Sequence, residues 1–260
     1  GLLDWLALEF RDRGWSVKRM HRLIVTSATY RRDSRDRPDL AERDPFNRLL
    51  ARQRSLRFSA EQVRDVALEV SGLINSRLTG PSVKPPQPES VSQEAYGNKW
   101  AASTGADRFC RGLYTFVQRT SPFAQGTTFD VPSPGKTCTR RERSNTPLQA
   151  LTLLNDPVFF ECAQGLAARV LQEAHSDDEA RIDRIVKLCL SRKPRAEERR
   201  RLKELLDRQQ WLFAGGDPQA AETAGRGAGP AARVRAPDEA AAWVAVASVI
   251  MNLHEFITRD

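Results

Sequence analysis

Histidine is scarce in this chain: three in 260 residues, at positions 21, 175 and 254. No two stand four apart and no H-E-x-x-H run occurs, so nothing reads as a helix-borne zinc site. Cysteine is nearly as rare. The four, at 110, 138, 162 and 189, lie 28, 24 and 27 positions apart. Without a C-x-x-C pair there is no zinc ribbon and no thioredoxin-type dithiol, and without C-x-x-C-H no c-type haem attaches to this segment. G-x-S-x-G, Walker A and G-x-G-x-x-G runs are missing too, which leaves no recognisable catalytic motif and no catalytic residue to name. No eighteen consecutive apolar residues occur, so no membrane-spanning helix is expected. The first residues, GLLDWLALEF, read as a helix already under way. The chain is therefore expected to be a fragment of a larger protein, and a missing leader says nothing about the parent.

What is present is a foldable, basic chain. Hydrophobic residues make up 40% and charged residues 28%, enough for a substantial core. The net charge of +8 is uneven. Residues 1–64 carry 15 Lys+Arg against 9 Asp+Glu, residues 98–143 carry 8 against 3, and the remainder is slightly acidic. Such a balance is read as a solvated basic surface, with an anion-binding face as the sharper alternative.

The most organised stretch runs from Phe129 to Val170. Pro132, Pro134 and Gly135 exclude regular structure, and Lys136, Arg140, Arg141 and Arg143 follow. Thr146 is placed to cap a helix with Pro147 at its first position, and Asp156-Pro157 repeats the pattern for a second. Apolar periodicity predicts helices over 2–13, 16–30, 59–75, 147–154, 157–173, 178–191, 196–213 and 238–257. Gly14 is expected to stop the first, and Ser59 with Gln62 forms a capping box for the third. His21 falls on the apolar face of the second and reads as a core histidine. Cys162 and Cys189 read as small core residues. Residues 76–110, rich in proline, predict disorder or a long surface excursion anchored at Tyr96 and Trp100. Residues 112–120 alternate and predict a strand, with 123–131 as its partner. The Gly- and Ala-rich stretch 214–236 is expected to be a flexible linker before a C-terminal docking helix at 238–257. The expected fold is mainly α: a single irregular helical domain over 1–260, with long ordered loops and a minor two-stranded β element.

The runs LLDWLALEF, GWSVKRMHRLIVTSATYRR, DPFNRLL, LRFSAEQVRD, VSGLINSRLTGPSV, LYTFVQRTSP, FD-x-P, NTPLQALTLLNDPVF and WVAVASVIMNLHEF occur in this order over nearly the whole chain. Together they resemble the C-terminal domain of unknown function of large planctomycete proteins that often also carry a cytochrome-c-like domain. The resemblance implies an exported, extracytoplasmic parent protein whose other domains are partners of this one. It also implies that any haem belongs to another domain, leaving no cofactor in this segment. The linker at 214–236 departs from the family pattern.

Three functions stay open. The first is a non-catalytic binding or scaffolding module of a multidomain protein. The second is an anion or acidic-glycan site, catalytic or not, on the arginine-rich loop before the 147–154 helix. Its candidate residues are Arg108, Arg119, Asp130, Arg140, Arg143, Asn145 and Gln149, with Arg111, Arg141 and Asp107 nearby, because guanidinium forks match carboxylate, sulfate and phosphate oxygens. In the competing reading, Asp107 and Asp130 consume those arginines in internal ion pairs. The third is nucleic-acid binding, with Trp100, Phe109 and Tyr114 as stacking platforms. It ranks last because the basic residues are scattered and no binding motif appears.

Overall fold

The computed structural model describes residues 1–35, 37–93, 100–173, 177–215, 218–225 and 236–259. It is mainly α, with eleven α-helices among the described residues and one two-stranded antiparallel sheet. The chain divides into two compact units, 1–56 with 258–260, and 57–257.

The smaller unit holds α1 (Leu2–Asp12) and α2 (Val17–Val25). Gly14, at φ +73°, ends the first helical segment, and the Ser16 hydroxyl accepts from the Arg19 amide to start the second. Phe10 and Trp15 meet edge to face at 5.2 Å, and the Arg259 guanidinium lies 4.0 Å over the Tyr30 ring. The second helix stops five residues short of the sequence expectation. Thr26 donates its hydroxyl to the Arg22 carbonyl, and the Ser27 hydroxyl accepts from the Tyr30 amide, a backbone group that another turn would need. Neither helix buries a residue, and His21 is exposed, which corrects its reading as a core histidine. Strands β1 (Leu56–Arg57) and β2 (Thr258–Arg259) form the sheet.

In the larger unit, α3 (Ala60–Ser71), α7 (Pro157–Gln172), α9 (Ala196–Phe213) and α11 (Pro237–Met251) carry the core. α7 buries Phe159, Cys162, Ala163, Leu166 and Val170, one stripe at helical spacing. α11 is apolar almost all round, with Ala240 to Val244, Val246, Ala247, Ile250 and Met251 buried. Its alanines let α7, α9 and α10 (Pro218–Ala224) approach it from several sides. Burial pushes the Cys162 and Cys189 thiols up to about 12, so both are neutral core residues. Cys110, buried, and Cys138, exposed, are free.

Proline and capping chemistry fixes the helix starts. Ser59 and Gln62 make the capping box of α3, Asp156 accepts from the Val158 amide at 2.9 Å, and Asp177 accepts from the Ala180 amide at 2.7 Å. Thr146 occupies the N-cap position of α6 (Pro147–Asn155), but its side chain makes no capping hydrogen bond. Helix ends depart further from expectation. α3 stops at Ser71 because Gly72 turns left-handed at φ +74°. α11 ends at Met251, and a 3-10 turn at His254–Ile257 follows, burying Phe256 and Ile257 and leaving Leu253 exposed.

Three expectations need correction. Residues 112–120 form no strand: Gly112–Tyr114 is a 3-10 turn, and only Thr115 forms a bridge, to Val83. The alternation there does not sort inside from outside, since Leu113 and Val117 are 74% and 66% exposed. The Asp65 carboxylate fixes the turn by accepting from the Gly112 amide at 2.6 Å. Its proposed partner, 123–131, is instead helix α5 (Ala124–Thr128). Within 214–236, residues 218–224 are helix α10 with Ala220 and Ala224 buried; residues 216–217 and 226–235 lie outside the described residues. The excursion 76–110 is anchored where it is described. Trp100 is buried, donates to the Pro85 carbonyl at 2.7 Å and stacks on Phe123 at 5.6 Å; Tyr96 lies outside the described residues.

Arg192 links three elements. Its guanidinium donates to both carboxylate oxygens of Glu255, in the terminal 3-10 turn, and to both of Glu198, in the first turn of α9. The Arg192 hydrogen bonds hold the Glu198 carboxyl down at about 2 against an ordinary 4.5. A depressed carboxyl stabilises the fold above its unfolded value and loses that contribution as pH falls through the folded one. Glu198→Gln is therefore expected to flatten the stability loss between about pH 4.5 and 2, read as the urea midpoint at successive pH values. Identical slopes in the two proteins would refute the assignment.

Candidate functional site

The loop between α5 and α6 closes on itself. After α5 the chain turns through Asp130, whose φ of +62° is a left-handed conformation that aspartate tolerates better than most residues. The Val131 amide bonds back to the Gly126 carbonyl at 2.9 Å. This turn presents the Asp130 carboxylate to Ser144, which donates its amide to Oδ2 at 2.6 Å and brings its hydroxyl within 2.9 Å of both oxygens.

Ser144 is held in turn by Gln149, one turn into α6 and 1% exposed. Gln149 Nε2 donates to the Ser144 hydroxyl at 3.1 Å and to the Thr128 carbonyl at 3.0 Å, while its Oε1 accepts from Arg57 Nη2 at 2.5 Å. Arg57 Nη1 lies 3.4 Å from His254 Nδ1. Burial lowers the Arg57 pKa, and the Asp130 charge works against that shift. A four-residue chain, Asp130–Ser144–Gln149–Arg57, thus clasps the two ends of the loop.

Asp130 and Gln149 are the two candidate residues brought together, through Ser144. Arg108 goes elsewhere: it pairs with Glu161 at 2.7 Å and stacks over Phe109. Asp107 is taken by Arg77 at 2.8 Å, Arg141 by both oxygens of Glu61 at 2.9 Å, and Arg111 lies over Tyr114. The loop arginines are therefore not consumed by Asp107 and Asp130. Among the described residues, no hydrogen bond or ion pair forms at the side chains of Arg119, Arg140, Arg143 or Asn145, and all four are exposed. Ser144 and Arg57 were missed in the sequence. Ser144 stood beside the N-T-P start of α6, and Arg57 in the L-R-F-S run before α3.

Next to the clasp lies a partly enclosed cavity of about 150 Å³. Leu113, Phe116, Val117, Phe123 and Val131 supply apolar wall, and Glu61, the partner of Arg141, stands at it too. Gly112 lets this wall close, because a Cβ there would come 2.8 Å from the Glu61 Cα. Two further wall residues are polar and deeply buried, Arg64 and Gln125, each 2% exposed. Arg64 Nη2 donates to the Arg108 carbonyl at 2.7 Å, whereas its Nε and Nη1, and Gln125 Oε1, have no partner among the described residues. Burial lowers the Arg64 pKa and raises those of Asp65 and Asp156. Arg64 was invisible in a reading of α3 that followed apolar residues only. Its spacing, four after Ala60 and four before Leu68, was the available signal.

No group of three or more metal-ligating side chains occurs among the described residues, and no described helix is long and apolar enough to cross a membrane. Residues 1–206 match the family model PSD1, described as a protein of unknown function (DUF1553). No curated protein and no solved structure matches the chain.

Proposed function

The chain belongs to the PSD1 family of proteins of unknown function (DUF1553), and within it we propose that this domain is a non-catalytic binding module whose arginine-rich loop receives an anionic, glycan-type ligand. The observation that carries the reading is the braced loop. The Asp130–Ser144 clasp closes its two ends, Arg141 is tied to Glu61, and between these anchors Arg140 and Arg143 stand exposed without a described protein partner. A loop already ordered loses less entropy when its guanidiniums engage a ligand. Sulfate and carboxylate groups on a saccharide suit forked donors spaced along such a loop. The sequence resemblance supports a wider setting: an exported planctomycete protein in which other domains, one of them cytochrome-c-like, are the partners and any haem resides outside this segment.

The test pairs binding with stability. Arg140→Ala with Arg143→Ala is expected to weaken binding to a sulfated or carboxylated glycan about tenfold or more, since hydrogen bonds to charged groups contribute about 1.5–3 kcal/mol. The melting temperature should barely move, because surface substitutions of this kind stay within about 0.5 kcal/mol. DNA serves as the comparison anion. Tighter binding to DNA than to any glycan, or no glycan binding by the parent chain, would overturn the reading.

A further inference from the structure

We propose that the cavity walled by α3, the 112–117 segment and α5 is a second, independent binding site, for a small organic carboxylate with a ring-sized apolar body and a hydroxyl or N–H donor. A cavity of about 150 Å³ is large enough for a benzene-sized group. The walls of Leu113, Phe116, Val117, Phe123 and Val131 are apolar, so desolvating a ring there is favourable. The charge preference comes from Arg64. It is buried, and among the described residues no ion pair reaches it; its one protein hydrogen bond runs from Nη2 to a backbone carbonyl. A buried cation with no carboxylate in ion-pair contact favours an entering anion, against the opposing charges of Asp65 and Asp156, which act on Arg64, and of Glu61 at the wall.

The donor requirement comes from Gln125. Its Oε1 is a buried acceptor with no partner among the described residues, and a carboxylate oxygen cannot satisfy it, whereas a hydroxyl or N–H can. Arg64 Nε and Nη1 and Gln125 Oε1 are all closed off from solvent, so both side chains must turn to meet a ligand. The guanidinium must therefore swing towards the cavity to meet a carboxylate, restrained by the single bond to the Arg108 carbonyl.

The probes are mandelate, benzoate and benzyl alcohol, titrated into the whole chain by NMR. Mandelate carries ring, charge and donor; benzoate lacks the donor and benzyl alcohol the charge. The expected order is mandelate tightest, benzoate several-fold weaker and benzyl alcohol at least tenfold weaker, with shifts confined to residues around Phe116 and Phe123. Arg64→Met is expected to abolish the charge preference. Should that variant fail to fold, Phe116→Trp decides the matter, because it narrows the cavity from a position 40% exposed and should remove mandelate binding without loss of stability. Arg140→Ala with Arg143→Ala should leave mandelate binding unchanged, which separates this site from the glycan face. No shift with any probe at millimolar concentration would overturn the proposal. So would equal binding of benzyl alcohol and mandelate, mandelate binding that survives Phe116→Trp, or mandelate binding lost in the loop variant.

Discussion

Trp243→Ala should lose about 3–5 kcal/mol of stability, the range for deleting a large buried aromatic side chain. Trp243 is fully buried and heads the largest side chains in the core. It sits on α11, the helix that α7, α9 and α10 all pack against. Neighbouring alanines at 240, 241, 242 and 247 have no side-chain length with which to fill it. Against a typical total stability of about 5–15 kcal/mol, such a loss removes a third or more. Trp243→Phe should lose less, since it keeps a ring and gives up an indole N–H that has no partner among the described residues. The measurement is the urea midpoint with its slope. A midpoint unchanged in the alanine variant would mean that α11 does not dock as described.

Local chemistry made much of this fold legible. The starts of α6, α7 and the helix Asp178–Leu190 match the sequence expectation because proline at the first helical position, or an aspartate cap, leaves little choice there. The C-terminal ends were harder. Gly72 was a visible stop for α3, but Leu73 and Ile74 continued the apolar pattern past it; both pack against the core from outside the helix. Residues 112–120 show the limit of alternation as a signal. Whether apolar alternation becomes a strand depends on a partner, and here the backbone partner is a single bridge at Val83, while the Asp65 carboxylate holds Gly112 in a turn.

The candidate site divides in the same way. The stretch that holds Asp130 and Gln149 was legible, because proline and capping rules mark it out. The fate of the arginines was not, because each answer lies far along the chain: Glu161 for Arg108, 53 positions away, and Glu61 for Arg141, 80 away. Arg64 was hidden for a different reason. A charged residue inside an apolar stripe is discounted as a surface neighbour unless the helix face is counted residue by residue.

The clasp gives the second large expectation. Gln149→Leu should destabilise the chain by about 2–4 kcal/mol, with most of the effect seen in the loop before α6. The substitution keeps side-chain bulk at a position 1% exposed, so cavity formation contributes little. What it removes are three hydrogen bonds, to the Arg57 guanidinium, the Ser144 hydroxyl and the Thr128 carbonyl. Each is left half-buried beside an apolar side chain, and an unsatisfied buried polar group costs about 1–3 kcal/mol, more when charged. Arg57 matters most, because burial already lowers its pKa and Gln149 Oε1 is its short-range acceptor. Ser144 would still reach Asp130, so the loop should not detach entirely but open at its α6 end. Hydrogen exchange at the Ser144 amide and limited proteolysis within 131–145 report that opening directly. Asp130→Asn is the matching control: it retains an acceptor for the Ser144 amide and should destabilise less than Gln149→Leu. Equal or greater loss in Asp130→Asn would place the strength of the clasp in the Asp130–Ser144 pair. Unchanged exchange in Gln149→Leu would remove the clasp as the reason the arginine loop is ordered.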